Sequence, residues 1–167
     1  MEISEKTSES LDLLTAKFFD LNRSADRIAS LLQNEYAMPQ TSDGFHHKIA
    51  HAYPLIADMV TEIKDRWNMS SVYDATHKDD RTYLNLEDMF GSFLRENVEA
   101  YEMIKLTYNI AVSEGDFNVQ ADLVAFMQMF NRIIAQIITL HDKAEQMPND
   151  YARFDQYFNN FGIVGLE

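Results

Sequence analysis

The sequence predicts an all-α fold, a bundle of four long helices, and three observations carry that expectation. Apolar residues recur at intervals of three and four along four separate stretches, the spacing that lines up one face of an α-helix. Only five glycines and three prolines punctuate the 167 residues, too few breakers for a fold of many short strands. Hydrophobic residues make up 46% of the chain, enough for a single domain over 1–167 with a sizeable core.

The first helix is expected over 8–34. Leu11, Leu14, Phe18, Leu21, Ala25, Ile28 and Leu32 share one of its faces. Pro39 and the stretch TSDG at 41–44 then interrupt the pattern. Ser42 or Asp43 is placed to cap the next helix by accepting from its free N–H groups. That second helix is expected to run to about Asn68, with Phe45, Ile49, Ala52, Ile56, Met59, Ile63 and Trp67 as its apolar stripe. Pro54 lies inside it, and proline removes a backbone donor and crowds the preceding turn. A kink there, or a later helix start, is expected.

Residues 69–83, MSSVYDATHKDDRTY, are polar and lack a long period. They read as a loop with one short helical turn at most. Asn85 is an expected N-cap, with Glu87 and Asp88 set against the positive end of the helix dipole. The third helix should run from Leu86 to about Glu114 through Phe90, Phe93, Leu94, Tyr101, Ile104 and Tyr108, and Gly115 should end it in a left-handed conformation. A fourth helix follows from about Asn118 to Gln146, its wide apolar face made by Phe126, Met127, Phe130, Ile133, Ile134, Ile137 and Ile138. After Pro148 an aromatic tail should form one more short helix. The connection between helices two and three is the longest, about 15 residues, and one long crossover marks the ferritin-like form of a four-helix bundle.

Charge and composition narrow the function. The formal net charge is -13, which repels phosphate backbones and attracts cations. Direct nucleic-acid binding is therefore not expected, and metal cations are. There is no cysteine, which removes disulfides, thiolate metal sites and cysteine nucleophiles. The acidic start MEISEKTSES does not read as a signal peptide. No run of about 18 apolar residues stands out as a membrane span. A soluble, cytoplasmic protein with no membrane contact is the expectation.

The stretch FHHKIAHAYPLIADMVTEIKD at 45–65 concentrates histidines and carboxylates. At 100° per residue, His47, His51, Asp58, Glu62 and Asp65 fall within about 60° of one another, opposite the apolar stripe. Two readings stay open. The face is solvated, or it meets another subunit or a cavity and uses His and carboxylate spaced i, i+4 to hold a divalent metal. His46 lies at the border of the core, and Thr61 and Asp65 share its flank. A di-iron centre inside the bundle needs Glu-x-x-His on two helices, and the sequence contains none. Such a centre is not expected. Glu96, Glu99 and Glu102 read as surface charge, and His141 stands on the fourth helix. No phosphate-binding loop or nucleophile motif is present.

The helix pattern, with GFHHKIAHAYPLIADMVTEIKDRW and AVSEGDFNVQADLV, resembles the Dps branch of the ferritin superfamily. Gly115, Asp116, Asp122 and Leu123 match its turn into the last long helix, with one extra residue between. The resemblance implies a hollow homo-oligomer of twelve subunits, about 230 kDa for a 19.4 kDa chain. It implies iron bound between two-fold-related subunits, oxidation of Fe(II) with peroxide, and storage of the ferric product. Carried over, His46 stands for the histidine at the start of helix two and Asp65 for the glutamate. The aspartate position falls on Thr61, and an earlier histidine on Asn34. Asp58 and Glu62 keep the i, i+4 spacing and can substitute. The expected metal ligands are therefore His46, Asp58, Glu62 and Asp65, with iron as the metal. The expected function is iron sequestration and oxidative-stress protection, with weak or lost ferroxidase activity. The alternative is a non-catalytic oligomeric shell or interaction protein without metal.

Overall fold

The computed structural model describes residues 2–166. Helix α1 spans Glu5–Asn34. A second rod is built from α2 (Pro39–Phe45), a π-helical turn (His46–Ala50) and α3 (Ala52–Arg66). Helices α4 (Leu86–Glu114) and α5 (Phe117–Gln146) complete the bundle. Helix α6 (Tyr151–Tyr157) and a 3-10 turn (Phe158–Asn160) close one end. The all-α four-helix bundle with a long crossover and a short C-terminal helix is the architecture observed.

Contacts along α1 fix the topology. Ser24 bonds Glu96, Lys17 meets Glu99, Ser10 bonds Thr107 and Thr7 bonds Asp116. Descending numbers on α1 meet ascending numbers on α4, so the two are antiparallel. Asn22 meets Ala50 and Asp12 meets Lys64, so the second rod also runs against α1. The second rod and α4, both packed on α1, are therefore parallel, and consecutive parallel helices need a connection that travels the bundle's length. The crossover makes that journey in extended form along α1. Val72 N–H donates to Asp12, His77 N–H to Asp20, Thr76 accepts from Arg23, and the Arg81 carbonyl accepts from Arg27. No helical turn interrupts 69–83, because these bonds to α1 hold its backbone instead.

The α1 face read from the sequence is the core face: Leu11, Leu14, Phe18, Leu21, Ala25, Ile28 and Leu32 are all buried. Ser4 caps α1 by accepting from Thr7 N–H at 3.1 Å. Asn85 caps α4 by accepting from Asp88 N–H at 2.9 Å. Gly115 ends α4 at φ 76°, where a Cβ would be strained. By length and composition, α5 is apolar enough to cross a bilayer. A core helix of a bundle shares that property, and here Leu123, Phe126, Phe130, Ile133, Ile137 and Leu140 are buried against the other helices.

The second rod departs from the sequence reading at its start. Pro39 takes the first turn of α2, where a missing N–H costs nothing. Ser42 does not cap. Its hydroxyl donates to the Ala29 carbonyl at 2.7 Å, while the free N–H of Thr41 is taken by the buried Asp155 carboxylate of α6 at 2.7 Å. The cap thus comes from the far end of the chain, which no local pattern reveals. Gly44 is needed for the same docking, because a Cβ there would lie 2.2 Å from the Phe158 ring.

Pro54 disturbs the rod four residues upstream of itself. Without an N–H, it cannot bond the Ala50 carbonyl, and that carbonyl accepts from Asn22 Nδ2 at 3.0 Å instead. The turn before it loosens to π geometry, with His51 N–H reaching the His46 carbonyl at 3.1 Å. A π turn inserts one residue into the helical count. Beyond it Ala52, Ile56 and Ile63 of the expected stripe are buried, and the buried face extends one position further round to take in Tyr53, Ala57, Val60 and Lys64. Met59, expected in the core, is exposed, and Lys64 is 1% exposed. The buried ammonium is held by Asp12 at 2.7 Å.

Candidate metal centre

Inside the bundle the chain places rings and neutral polar pairs. Phe18 meets Phe126 and Phe130 edge-on at 5.6 and 5.3 Å. Tyr53 donates to the Asn97 side chain at 2.6 Å, and Ser10 and Thr107 share a bond of 2.6 Å. Burial pushes the Tyr53 phenol well above its ordinary value, and the bond to Asn97 offsets only part of that rise. The phenol therefore stays neutral. Among the described residues the buried polar side chains include no histidine or glutamate, and the one buried aspartate, Asp155, serves α2. Apart from the Lys64 ammonium held by Asp12, the interior offers neutral oxygens and one amide, a poor donor set for iron, which favours carboxylate and imidazole.

The sequence-predicted ligands lie on the outside of the second rod. His46 sits in the π turn with its Nδ1 3.3 Å from an Asp26 carboxylate oxygen on α1. Asp58, Glu62 and Asp65 are exposed on α3. Glu62 lines a surface hollow beside the ion pair of Arg66 and Asp122, whose charges lie 3.0 Å apart. Twelve residues separate His46 from Asp58, about 18 Å at the helical rise of 1.5 Å. One chain cannot close these four around one ion. The suggestion that His46 converges with Thr61 and Asp65 on one flank considers angle alone, and the rise along the axis keeps them further apart still. Only a second copy, laid against this face, can bring the sets together.

One chain does assemble a different group. Glu87 of α4 and His141 and Glu145 of α5 each present a ligand atom within 4.8 Å of the others. His141 Nε2 and Glu145 Oε1 are 3.5 Å apart. The fold supplies the closeness twice. The start of α4 is tied to the end of α5 by the Leu86 N–H bond to the Pro148 carbonyl at 3.1 Å. Gly91 then leaves room for the imidazole, since a Cβ there would come within 3.2 Å of His141 Nε2. His141 is partly buried and the two glutamates are exposed. The sequence reading named His141 without a partner. The i, i+4 pair His141 and Glu145 was visible there, but Glu87 comes from 54 residues earlier in the chain, and only the packing of α4 on α5 brings it in.

The open-pore ferritin of the hyperthermophilic archaeon Archaeoglobus fulgidus is similar in structure, with a TM-score of 0.85 at 14% identity over 96% of this chain and 97% of that one. A humanized archaeal ferritin is similar too, with a TM-score of 0.85 at 15% identity over 97% of each chain. No protein-family model and no curated protein matches the sequence. At such identities the likeness is one of backbone, and it makes the domain a ferritin-like helical bundle.

Proposed function

We propose that the chain is a subunit of a homo-oligomeric ferritin-like protein that takes up iron on its acidic, histidine-bearing surface, with weak or lost ferroxidase activity. The observation that carries this reading is the pairing of a ferritin backbone with the surface group Glu87, His141 and Glu145, two carboxylates and an imidazole of the kind iron accepts. His46, Asp58, Glu62 and Asp65 are the second candidate set, joined across two copies. Iron is cargo in this reading, and the net charge of -13 concentrates it at the surface. Sequestration in a Dps-like assembly, protecting against peroxide, is the finer form of the same proposal.

The test is an anaerobic Fe(II) titration followed by calorimetry, then admission of oxygen or peroxide with near-ultraviolet absorbance. Fe(II) should bind, and binding should weaken about tenfold or more in Glu87→Gln/Glu145→Gln. Oxidation should proceed little faster than in buffer. Rapid turnover, or binding indifferent to both ligand sets, would overturn the reading. Particle mass measures assembly separately, with about 230 kDa the dodecamer value for a 19.4 kDa chain.

A second reading has its own observation. The bundle interior is closed by Phe18, Phe126 and Phe130, which leaves the fold able to serve as a metal-free shell or interaction protein. No Fe(II) uptake by an intact oligomer would favour it.

A further inference from the structure

We infer that the π turn of the second rod is a three-imidazole site for a borderline divalent transition metal, formed by His46, His47 and His51 within one chain. In an α-helix, residues five apart point about 140° away from each other. A turn closed by an i to i+5 bond reduces that to about 50°. His46 and His51 are so related, and their ring centroids lie 4.4 Å apart. His47 stands 5.1 Å from His46 and 5.3 Å from His51. Three imidazoles bound to one ion at about 2.1 Å put their centroids about 4.5 Å apart at right angles and about 5.2 Å apart in a tetrahedron. The triangle on the π turn has that size.

A second observation points to a ligand. Metal-binding imidazoles use one nitrogen for the metal and hold the other on a carboxylate or carbonyl. His46 Nδ1 faces the Asp26 carboxylate at 3.3 Å, and His47 Nδ1 faces the Asp43 carbonyl at 2.9 Å. Both rings thereby leave Nε2 as the free nitrogen. Beside them, Leu55, Val164 and Leu166 wall a hollow of about 280 Å³ that His47 and His51 also line. Asp26 and Asp43 set two carboxylates against the single ammonium of Lys48. The ring nitrogens are not gathered into one coordination sphere; the exposed rings of His47 and His51 turn about their side-chain bonds in picoseconds to nanoseconds and can close on His46. An all-nitrogen set suits zinc, copper or nickel over a harder ion.

The site shares His46 with the second iron set but no residue with Glu87, His141 and Glu145, and its test uses Co(II) on the full chain. In the Glu87→Gln/Glu145→Gln background, cobalt titration should give one ion per chain with visible ligand-field bands of a nitrogen-rich site. His46→Gln and His51→Gln should each weaken binding about tenfold or more, while Glu87→Gln/Glu145→Gln leaves it unchanged. Circular dichroism checks the fold of these surface variants. In the wild type, paramagnetic Co(II) should broaden the imidazole signals of His46, His47 and His51 before those of His77 and His141. Broadening confined to His141, or unchanged affinity in both histidine variants, would overturn the proposal. Failure of iron uptake would leave it standing.

Discussion

Helix α1 and the second rod are neighbours of similar length, and they differ in two ways. Helix α1 runs uninterrupted from Glu5 to Asn34, and its buried face follows one angular count throughout. The second rod changes count at His46–Ala50. The outer face of α1 is covered by the crossover, whereas that of α3, with Asp58, Glu62 and Asp65, is bare. Both differences trace to particular residues. Pro54 breaks the regularity of one rod, and the carboxylates of Asp12 and Asp20 recruit a cover for the other.

The most disruptive way to test the comparison is to remove the charge that links the rods. Lys64 lies in the core at the edge of the buried face of α3 and is neutralised there by Asp12. Asp12→Ala should destabilise the protein by about 3 kcal/mol, because it leaves a buried ammonium without a partner. Lys64→Met with Asp12→Asn should cost far less, since no uncompensated charge remains. Urea denaturation midpoints measure both. Equal losses in the single and double variants would mean that Lys64 reaches water.

The next effect tests how the bundle end holds the second rod. Gly44→Ala should cost about 1–3 kcal/mol, as an inserted methyl must push the Phe158 ring aside. Gly115→Ala has open space around its Cβ but a φ of 76°, so it should cost only about 1 kcal/mol. Thermal melts of the two variants separate crowding from backbone strain.

A smaller and more diagnostic effect concerns the π turn itself. Asn22→Ala strips the Ala50 carbonyl of its donor and should cost about 1 kcal/mol. In a Pro54→Ala background, an N–H is available and the turn can return to α geometry. The Asn22 loss should then nearly vanish, giving a coupling of about 1 kcal/mol in a double-mutant cycle. If α geometry returns, His46 and His51 should also part and the cobalt site should weaken. Additive losses would sever Pro54 from the turn.

The same contrast shows what could be read from the chain alone. The face of α1, the Asn85 cap and the Gly115 stop depend on residues close in sequence, so spacing reveals them. Spacing also finds Ala52, Ile56 and Ile63 of α3, but the buried face reaches one position further round, which leaves Met59 exposed and Lys64 buried. Pro54 announced a disturbance but not its form. The Asp155 cap of α2 and the joining of Glu87 to His141 arise from residues far apart in the chain, and local pattern carries no signal for them. Of the four ligand positions on the second rod, Asp58, Glu62 and Asp65 share a face by angle and His46 borders the core, but angle says nothing of their spread along the axis, about 28 Å from His46 to Asp65 at the helical rise.

The gentlest test is pH, applied to the cover that α1 has and the second rod lacks. Asp79 and Arg81 pin the end of the crossover, with Arg81 also reaching Glu96 of α4 and, at 2.7 Å, Ser24 of α1. Burial pushes the Asp79 carboxyl up, but bonds from the Arg81 side chain and backbone outweigh it and leave the group below its usual value. A carboxylate depressed in the folded state stabilises it above the unfolded value of about 3.9, and that contribution fades as pH falls through the lower folded value. Acidification below about pH 4 should therefore loosen residues 72–83 before the bundle unfolds. Hydrogen exchange of that segment, corrected for the intrinsic rate at each pH, should accelerate there while exchange in α5 stays slow. Asp79→Asn should show the faster exchange already at neutral pH and lose part of the acid step. If the segment and α5 loosen together in the wild type, the crossover belongs to the same cooperative unit as the core, and α1 differs from the second rod in its cover without differing in what that cover can do.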